Sequence, residues 1–200
     1  HYTAQPCLPA PTGLKKIDLT SEPMPRPEDF HLAEDGCTAR QSGGRRQGLQ
    51  VLESFLHRRG EDYSKAMSSP LSAAQACSRL SAHLAFGTLS MREVHHALEV
   101  RRKALAASPR TMSGNWPKAF SSFSSRLHWH CHFIQKLEDE PRIEFENMHP
   151  AYDKLRQEPV NDAYLTAWQQ GQTGYPMVAA CMPSLIAAGW PNFRLRAMLV

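Results

Sequence analysis

The stretch of residues 117–137, PKAFSSFSSRLHWHCHFIQKL, decides the class of fold. Five side chains in it recur at spacings of three and four residues: Phe120, Phe123, Leu127, Cys131 and Ile134. Side chains with this spacing share one face of an α-helix. Pro117 suits the first turn of a helix, because no backbone N–H is needed there. The pattern therefore predicts a long amphipathic helix.

The same spacing predicts helices on the N-terminal side of this stretch. Four apolar side chains repeat it after Arg45: Leu49, Leu52, Phe55 and Leu56. We expect a helix there that Gly60 ends. Ser90-Met91-Arg92-Glu93 is a capping-box pattern, in which Ser90 accepts from the backbone N–H of Glu93 while the Glu93 side chain reaches back. A second helix should run from this box to about Ala107.

Other segments are also predicted to be helical. The Ser- and Ala-rich segment 63–84 contains no β-branched residue and is typical of short helices joined by turns. Asn161 is a suitable cap for a helix that Gly171 ends, and Pro176 opens another that Gly189 closes. No segment alternates with period two for long enough to suggest a strand. We therefore expect an all-α fold.

The distribution of proline predicts the domain organisation. Six of the fifteen prolines fall within the first 27 residues, and Pro23-Met24-Pro25-Arg26-Pro27 cannot be regular helix. We interpret residues 1–44 as an extended linker and residues 45–200 as a helical domain. Because the chain stops inside the amphipathic run Asn192 to Val200, we expect this domain to be truncated at its C-terminus.

Composition excludes several classes of protein. The 42% hydrophobic and 21% charged content argues against wholesale disorder and against a filament, and no apolar run approaches the roughly 18 residues that cross a bilayer. A net charge of +4 permits binding to a polyanion without requiring it. The five cysteines are widely spaced, with no CxxC pair, which favours a reducing, cytoplasmic compartment.

Two clusters could carry chemistry. His128, Cys131 and His132 share one helix face and could offer three ligands to zinc, but a structural zinc site needs four and no second cluster supplies the rest. We therefore expect no metal and favour histidines that pack against a cofactor or the core and are hydrogen-bonded there. The run Cys77-Ser78-Arg79-Leu80-Ser81 offers hydroxyls, a guanidinium and backbone N–H groups at a predicted helix start, which is either a seat for a phosphate or simple capping.

Three motifs in the same order resemble the photolyase and cryptochrome family. Ser78-Arg79-Leu80-Ser81 followed by residues 83–90, HLAFGTLS, resembles the family's phosphate-binding segment. Leu127-His128-Trp129 looks like the end of its helix beside the flavin. Residues 173–178, TGYPMV, with Gly189-Trp190 and the arginines that follow resemble its later signature. A chance match to one motif is believable, but a match to all three in order is not.

The resemblance implies a fold and a cofactor. Members have an N-terminal α/β domain, often with an antenna pigment, joined by a long linker to an all-α domain that holds FAD. Residues 1–44 would be the interdomain linker and residues 45–200 the N-terminal part of the FAD-binding domain, with any antenna pigment outside this chain. By this likeness, eight residues should border FAD: Tyr63, Cys77, Ser78, Arg79, Leu80, Ser81, Phe123 and His130.

The resemblance also implies a reaction. In a photolyase, reduced and light-excited FAD gives an electron to a pyrimidine dimer, the ring splits and the electron returns, so no side chain need act as acid, base or nucleophile. The residues implied to face DNA or the lesion are Arg126, Trp129 and Arg194. We expect a monomer that binds DNA containing ultraviolet photoproducts. A cryptochrome-like photoreceptor without repair is the alternative, and a helical metal-binding or interaction module is a second.

Several positions depart from the family's pattern. Cys77 stands where Thr is usual, and Phe193 replaces an Asn that often precedes Arg194. Arg126 occupies the position of a Glu that helps hold the lesion in repair enzymes. Pro183 falls inside a predicted helix, where proline removes one hydrogen bond and costs about 3 kcal/mol unless the helix is kinked. Flavin binding is thus better supported by the sequence than repair.

Overall fold

A computed structural model describes residues 5–32, 35–107, 114–155 and 158–199. Within these ranges the chain forms helices and no strand, so the all-α prediction is confirmed. The N-terminal half contains α1 (Arg45–Ser54), α2 (Tyr63–Ala66), α3 (Ala73–Ala76), α4 (Ser81–Ala85) and α5 (Met91–Ala106). The C-terminal half contains α6 (Trp116–Asp139), α7 (Asp162–Gln169), α8 (Pro176–Ala188) and α9 (Phe193–Leu199).

Local signals set several helix ends as the sequence predicts. The Ser90 hydroxyl accepts from the Glu93 backbone N–H at 3.2 Å, and the Ser90 N–H donates to the Glu93 carboxylate at 2.9 Å. Asn161 Oδ1 accepts from the Tyr164 N–H at 3.1 Å and so caps α7. Gly189 ends α8 with a φ of 63°, which glycine adopts without steric cost.

The π-helical turn Phe55–Arg59, which continues α1, was not predicted from the sequence. Gly60 follows it, and a Cβ there would lie 2.4 Å from the Phe55 carbonyl oxygen. Only glycine permits this close approach, so Gly60 ends the helix as expected but for a steric reason. π-Helical turns often occur near functional sites.

The main core lies between α1, α5 and α6. Its largest fully buried side chains are Phe55, Phe120, Leu80, Leu89, Leu98 and Val94. The Phe55 and Phe123 rings meet edge to face with centroids 4.7 Å apart. The apolar face predicted for α6 is buried only as far as Leu127, and Ile134 beyond it is 48% exposed. The first half of α6 therefore anchors the core.

A smaller second core joins α7, α8 and α9 through Cys181, Met182, Leu195 and Leu199. Trp168 Nε1 donates to the Leu199 carbonyl at 2.9 Å. Pro183 lies inside α8, as the sequence predicts. This unit is tied to the rest of the chain by the Ala39 N–H, which donates to the Ala187 carbonyl at 2.8 Å.

The described part of the N-terminal segment, residues 5–32 and 35–44, is largely exposed and contains one short 3₁₀ turn, Pro27–Phe30. Its role as an interdomain linker stays a prediction. Residues 1–4 of this segment, the end of the predicted Asn192 to Val200 run at Val200, and most of the Ser-, Pro- and Gly-containing interval after Ala107 lie outside the described residues. In the described chain, no helix combines the length and the apolar character that a membrane span requires.

Candidate functional site

Residues 77–81 separate two hollows on the surface of the helical domain. Cys77 lines a cavity of about 120 Å³, whereas Arg79 and Ser81 line a cleft of about 560 Å³. Leu80 is 1% exposed and belongs to the main core. The predicted phosphate-binding run therefore does not present all its side chains to one ligand.

Arg59 fixes the start of this run. Its guanidinium donates to the carbonyl of Cys77, to that of Ser78 at 2.6 Å and to that of Val51 at 3.2 Å. Partial burial lowers the pKa of Arg59, which nevertheless remains charged at neutral pH. The sequence pattern gave no role to this arginine, because its partners lie up to 19 residues away in the chain.

Arg79 does not line the 120 Å³ cavity, although its charge lies close enough to Cys77 to oppose the rise of the thiol pKa. Its guanidinium carbon lies 4.2 Å from the centroid of the Trp190 ring, and its Nε donates to the Gln41 side-chain oxygen at 3.3 Å. The Gln41 amide in turn donates to the Arg79 carbonyl at 2.8 Å. Arg79 also adopts a φ of 60°, a conformation that is uncommon for residues other than glycine. These contacts fix its charge at the cleft.

The 120 Å³ cavity brings together residues from four parts of the chain: Tyr63, Met67, Ser68, Cys77, Arg126 and Phe193. The Tyr63 ring packs edge to face against Phe55 at 5.5 Å and against Phe123 at 6.1 Å. Burial raises the pKa of Tyr63 to about 12 and that of the Cys77 thiol to about 11. Both groups are therefore protonated and uncharged at neutral pH.

Arg126 supplies the positive charge of this cavity. Its guanidinium carbon lies 5.3 Å from the centroid of the Trp129 ring and 5.4 Å from that of Phe193. It lies close enough to Tyr63 to oppose the rise of the tyrosine pKa. Within the described ranges, Arg126 forms no ion pair with a carboxylate. A half-buried guanidinium between two aromatic faces remains available to an anion.

The larger cleft is also basic. Three arginines line it, Arg40, Arg79 and Arg196, together with the hydroxyls of Ser81 and Thr88. Arg40 is paired with Asp35. His83 is 3% exposed and its Nδ1 lies 2.9 Å from the Thr88 hydroxyl, which fixes one wall. Gly189 and Trp190 also line the cleft.

Other residues expected at the site lie elsewhere. Phe123 is buried in the core behind Tyr63, and the exposed His130 lines neither hollow. Trp129 is 48% exposed and borders a shallow depression with His128, His132 and Phe133. Arg194 is exposed on α9. The expected contacts are thus divided between the cavity, the cleft and an open aromatic surface.

The lining residues fit part of a flavin dinucleotide. Arg126 with the hydroxyl of Ser68 can bind a phosphate, and the aromatic rings can pack against a planar group. A cavity of about 120 Å³ is smaller than the roughly 300–1,000 Å³ of typical ligand pockets, so it can hold only one portion of such a ligand. In the part of the chain that the structure describes, no three His, Cys, Asp or Glu side chains are arranged to hold a metal ion.

Comparison with known proteins gives one family match. Residues 123–200 match the model of the FAD binding domain of DNA photolyase. This range contains α6 from Phe123 onward and the later motif with Trp190, but not Tyr63 or the run from Cys77 to Ser81.

Relatives extend the similarity over most of the chain. It is 30% identical over 190 residues to the deoxyribodipyrimidine photo-lyase of Streptomyces griseus, which covers 94% of this chain and 37% of that protein. It is 30% identical over 182 residues to cryptochrome-1 of Arabidopsis thaliana, covering 90% of this chain and 26% of that protein. The chain therefore spans about a quarter to two fifths of these relatives.

A solved structure supports the same likeness. The structure of a bacterial class III photolyase from Agrobacterium tumefaciens superposes with a TM-score of 0.67 at 26% identity, over 80% of this chain and 30% of that one. Over that part of the chain, the fold is therefore shared with an experimentally determined protein.

Proposed function

Because the chain belongs to the photolyase and cryptochrome family and has the helical fold of its FAD-binding domain, we propose that it binds FAD for light-dependent repair of pyrimidine dimers in DNA. The observation that carries this proposal is the meeting of Tyr63, Cys77 and Arg126 around one cavity. The first two were expected to border the cofactor, and they come from segments outside the matched range 123–200.

The residues of this chain would bind and orient the cofactor. FAD, when reduced and excited by light, supplies the electron that splits the dimer. Arg59 holds the carbonyls of Cys77 and Ser78, so that the chain between the cavity and the cleft is fixed before any ligand arrives. Such preorganisation lowers the cost of ordering a site on binding. We assign no acid, base or nucleophile among these side chains.

The DNA-facing role is proposed for the exposed surface beside the cavity. Trp129 presents 48% of its surface next to Arg126, and a flat ring in that position can stack on a base taken out of the duplex. The exposed Arg194 would contact phosphates. We expect Arg194→Gln to weaken DNA binding similarly for all sequences. The slope of the logarithm of the binding constant against the logarithm of the salt concentration should fall by about one in magnitude, which titrations at several salt concentrations would measure.

The test of the proposed function is repair by the full-length protein. Purified protein with reduced FAD is mixed with an oligonucleotide that contains a thymine dimer, and intact thymines are counted after blue light and after darkness. We expect restoration only in the light. Trp129→Ala should lose repair. Trp168→Phe, in which the indole that donates to the Leu199 carbonyl is replaced, serves as a matched aromatic control.

A cryptochrome-like photoreceptor is the second candidate, favoured by the likeness to cryptochrome-1 and by Arg126 at the position where the family's repair enzymes have Glu. Photoreducible FAD in a protein that restores no thymines under illumination would support this candidate and contradict repair.

A further inference from the structure

We propose that Arg126, rather than Arg79, is the cation that binds a phosphate of the flavin dinucleotide, at the cavity lined by Tyr63 and Cys77. This inference rests on the proposed function, because it names the ligand group for the same site. It also changes the sequence-based expectation, in which Arg126 faces the lesion and the guanidinium of the phosphate-binding run is that of Arg79.

The charge of the cavity favours Arg126 as the phosphate-binding residue. Of its six lining residues, Arg126 alone carries charge at neutral pH, because burial keeps Tyr63 and Cys77 protonated. No carboxylate of the described chain pairs with it. A partly desolvated guanidinium gains most from an anion that accepts two parallel N–H bonds, and phosphate has this geometry.

The position of Arg79 disfavours this residue as the phosphate-binding cation. Its guanidinium is stacked over Trp190 at 4.2 Å and bonded to Gln41, so the side chain faces the cleft and does not line the cavity. To reach the cavity it would have to give up both contacts. Arg126 already lines the cavity and is flanked there by Trp129 and Phe193.

The size and lining of the cavity indicate which phosphate it would hold. About 120 Å³ is enough for one phosphate group or one small ring. The buried Tyr63, which is 7% exposed, and Cys77, at the start of the run 77–81, line the same cavity as Arg126. Because both residues were expected to border the cofactor, we commit to the cofactor as the source of the phosphate.

The experiment compares two flavins that share the isoalloxazine ring and differ in phosphate, FAD and riboflavin, in the full-length protein. Dissociation constants are measured by fluorescence for wild type, Arg126→Gln, Arg126→Lys and the control Arg46→Gln, whose side chain is exposed on α1 and lines neither hollow. Competition by inorganic pyrophosphate is measured in parallel, and circular dichroism checks the fold of each variant.

We expect Arg126→Gln to weaken FAD binding by about tenfold or more and to leave riboflavin within about threefold, because only FAD loses a charge-assisted contact. The FAD affinity of Arg126→Lys should lie between those of wild type and Arg126→Gln, since lysine keeps the charge but not the two parallel donors. Pyrophosphate should compete with FAD in wild type and in Arg46→Gln, and poorly in Arg126→Gln.

Three results would overturn the inference. Equal losses for FAD and riboflavin would show a structural role for Arg126, and unchanged FAD binding in both Arg126 variants would show no role. Weaker DNA binding with unchanged flavin preference would assign Arg126 to DNA. If wild type binds neither flavin but binds pyrophosphate through Arg126, the flavin function fails and the phosphate site stands; if pyrophosphate does not bind either, both fail.

Discussion

Arg59 shows how a single side chain can organise a site that it does not enter. Its guanidinium donates hydrogen bonds to the carbonyls of Val51, Cys77 and Ser78. These bonds connect the π-helical turn after α1 to residues 77–81, which separate the cavity from the cleft. The Phe55 ring lies 5.6 Å from the same guanidinium. The position of Cys77 in the cavity therefore depends on a residue of an earlier element.

We predict that Arg59→Gln lowers the free energy of unfolding by about 1–3 kcal/mol, because buried carbonyls lose their donor. Urea denaturation measures this change. Arg58→Gln removes the same charge from the exposed neighbouring position and should stay within about 0.5 kcal/mol of wild type. Equal unfolding midpoints for both variants would contradict the role given to Arg59.

Glu93 gives a prediction about pH. A hydrogen bond from Arg45 and another from the Ser90 backbone hold the pKa of Glu93 at about 2, below the value of about 4.3 of an unfolded chain. A depressed pKa contributes stability that is present above the unfolded value and is lost as pH falls toward the folded value. We therefore expect wild type to lose more stability than Glu93→Gln between pH 5 and pH 2. Parallel stability curves from urea titrations across this range would contradict this contribution.

The site residues that could be predicted from the sequence belong to local patterns, whereas those that could not be predicted act through contacts distant in sequence. Tyr63 and Cys77 stand in recognisable local patterns, and both line the cavity. Gln41 and Trp190, which contact the Arg79 side chain, lie 38 and 111 residues away from it in the sequence. A pattern of local spacing cannot predict contacts over such distances. His130 was expected near the cofactor because of its neighbours in sequence, yet it lies on the exposed side of α6.

At the scale of elements, α9 is positioned by its cap. Asn192 is 2% exposed; its Oδ1 accepts from the Leu195 N–H at 2.8 Å and its Nδ2 donates to the Ser69 carbonyl at 3.0 Å. One side chain thus begins α9 and ties it to the segment that carries Ser68. Because Phe193 follows directly, the cap also sets one wall of the cavity.

We predict that Asn192→Ala lowers the free energy of unfolding by about 1–3 kcal/mol, through loss of the cap and of the bond to Ser69. Hydrogen exchange at the amides of α9 should become faster in the same variant. Asn192→Ser keeps a capping oxygen but is too short to reach Ser69, so it should recover only part of the loss. Wild-type exchange rates in Asn192→Ala would show that α9 is positioned by other contacts.

Helix α6 shows what periodicity can and cannot predict. The spacing from Phe120 to Ile134 gave the helix and its apolar face, and the helix is found with nearly the predicted bounds. The neighbours that bury this face are α5 and α2, and they meet only its first half. The spacing of apolar residues predicts which side chains share a helix face. Whether that face is buried depends on other helices, which are distant in sequence.

At the scale of the whole molecule, two cores meet around the candidate site. The main core contains Tyr63, and Arg126 lies on α6, which anchors that core; Phe193 lies on α9, which belongs to the second core. The described bonds that tie the second unit to the rest of the chain include that of Asn192 to Ser69 and that of Ala39 to Ala187. The cavity therefore depends on the docking of one unit against the other, and a ligand that spans both should stabilise the docked form.

The all-α class and most helix bounds follow from capping residues and spacing, which act over a few residues. The division of residues 77–81 between a cavity and a cleft could not be predicted in this way. It depends on the contacts that Arg59 makes with Ser78 and that Gln41 and Trp190 make with Arg79, and these partners are distant in sequence. The proposed ligand rests on the family likeness, and the structure shows which side chains line the two hollows.

The most direct test of the central claim is the absorption spectrum of the full-length protein purified in the dark, followed by identification of the released chromophore. We predict a flavin spectrum and about one FAD per chain, with less FAD retained by Arg126→Gln than by Arg46→Gln. A folded protein that carries no flavin and takes up none from excess FAD would contradict the proposed function.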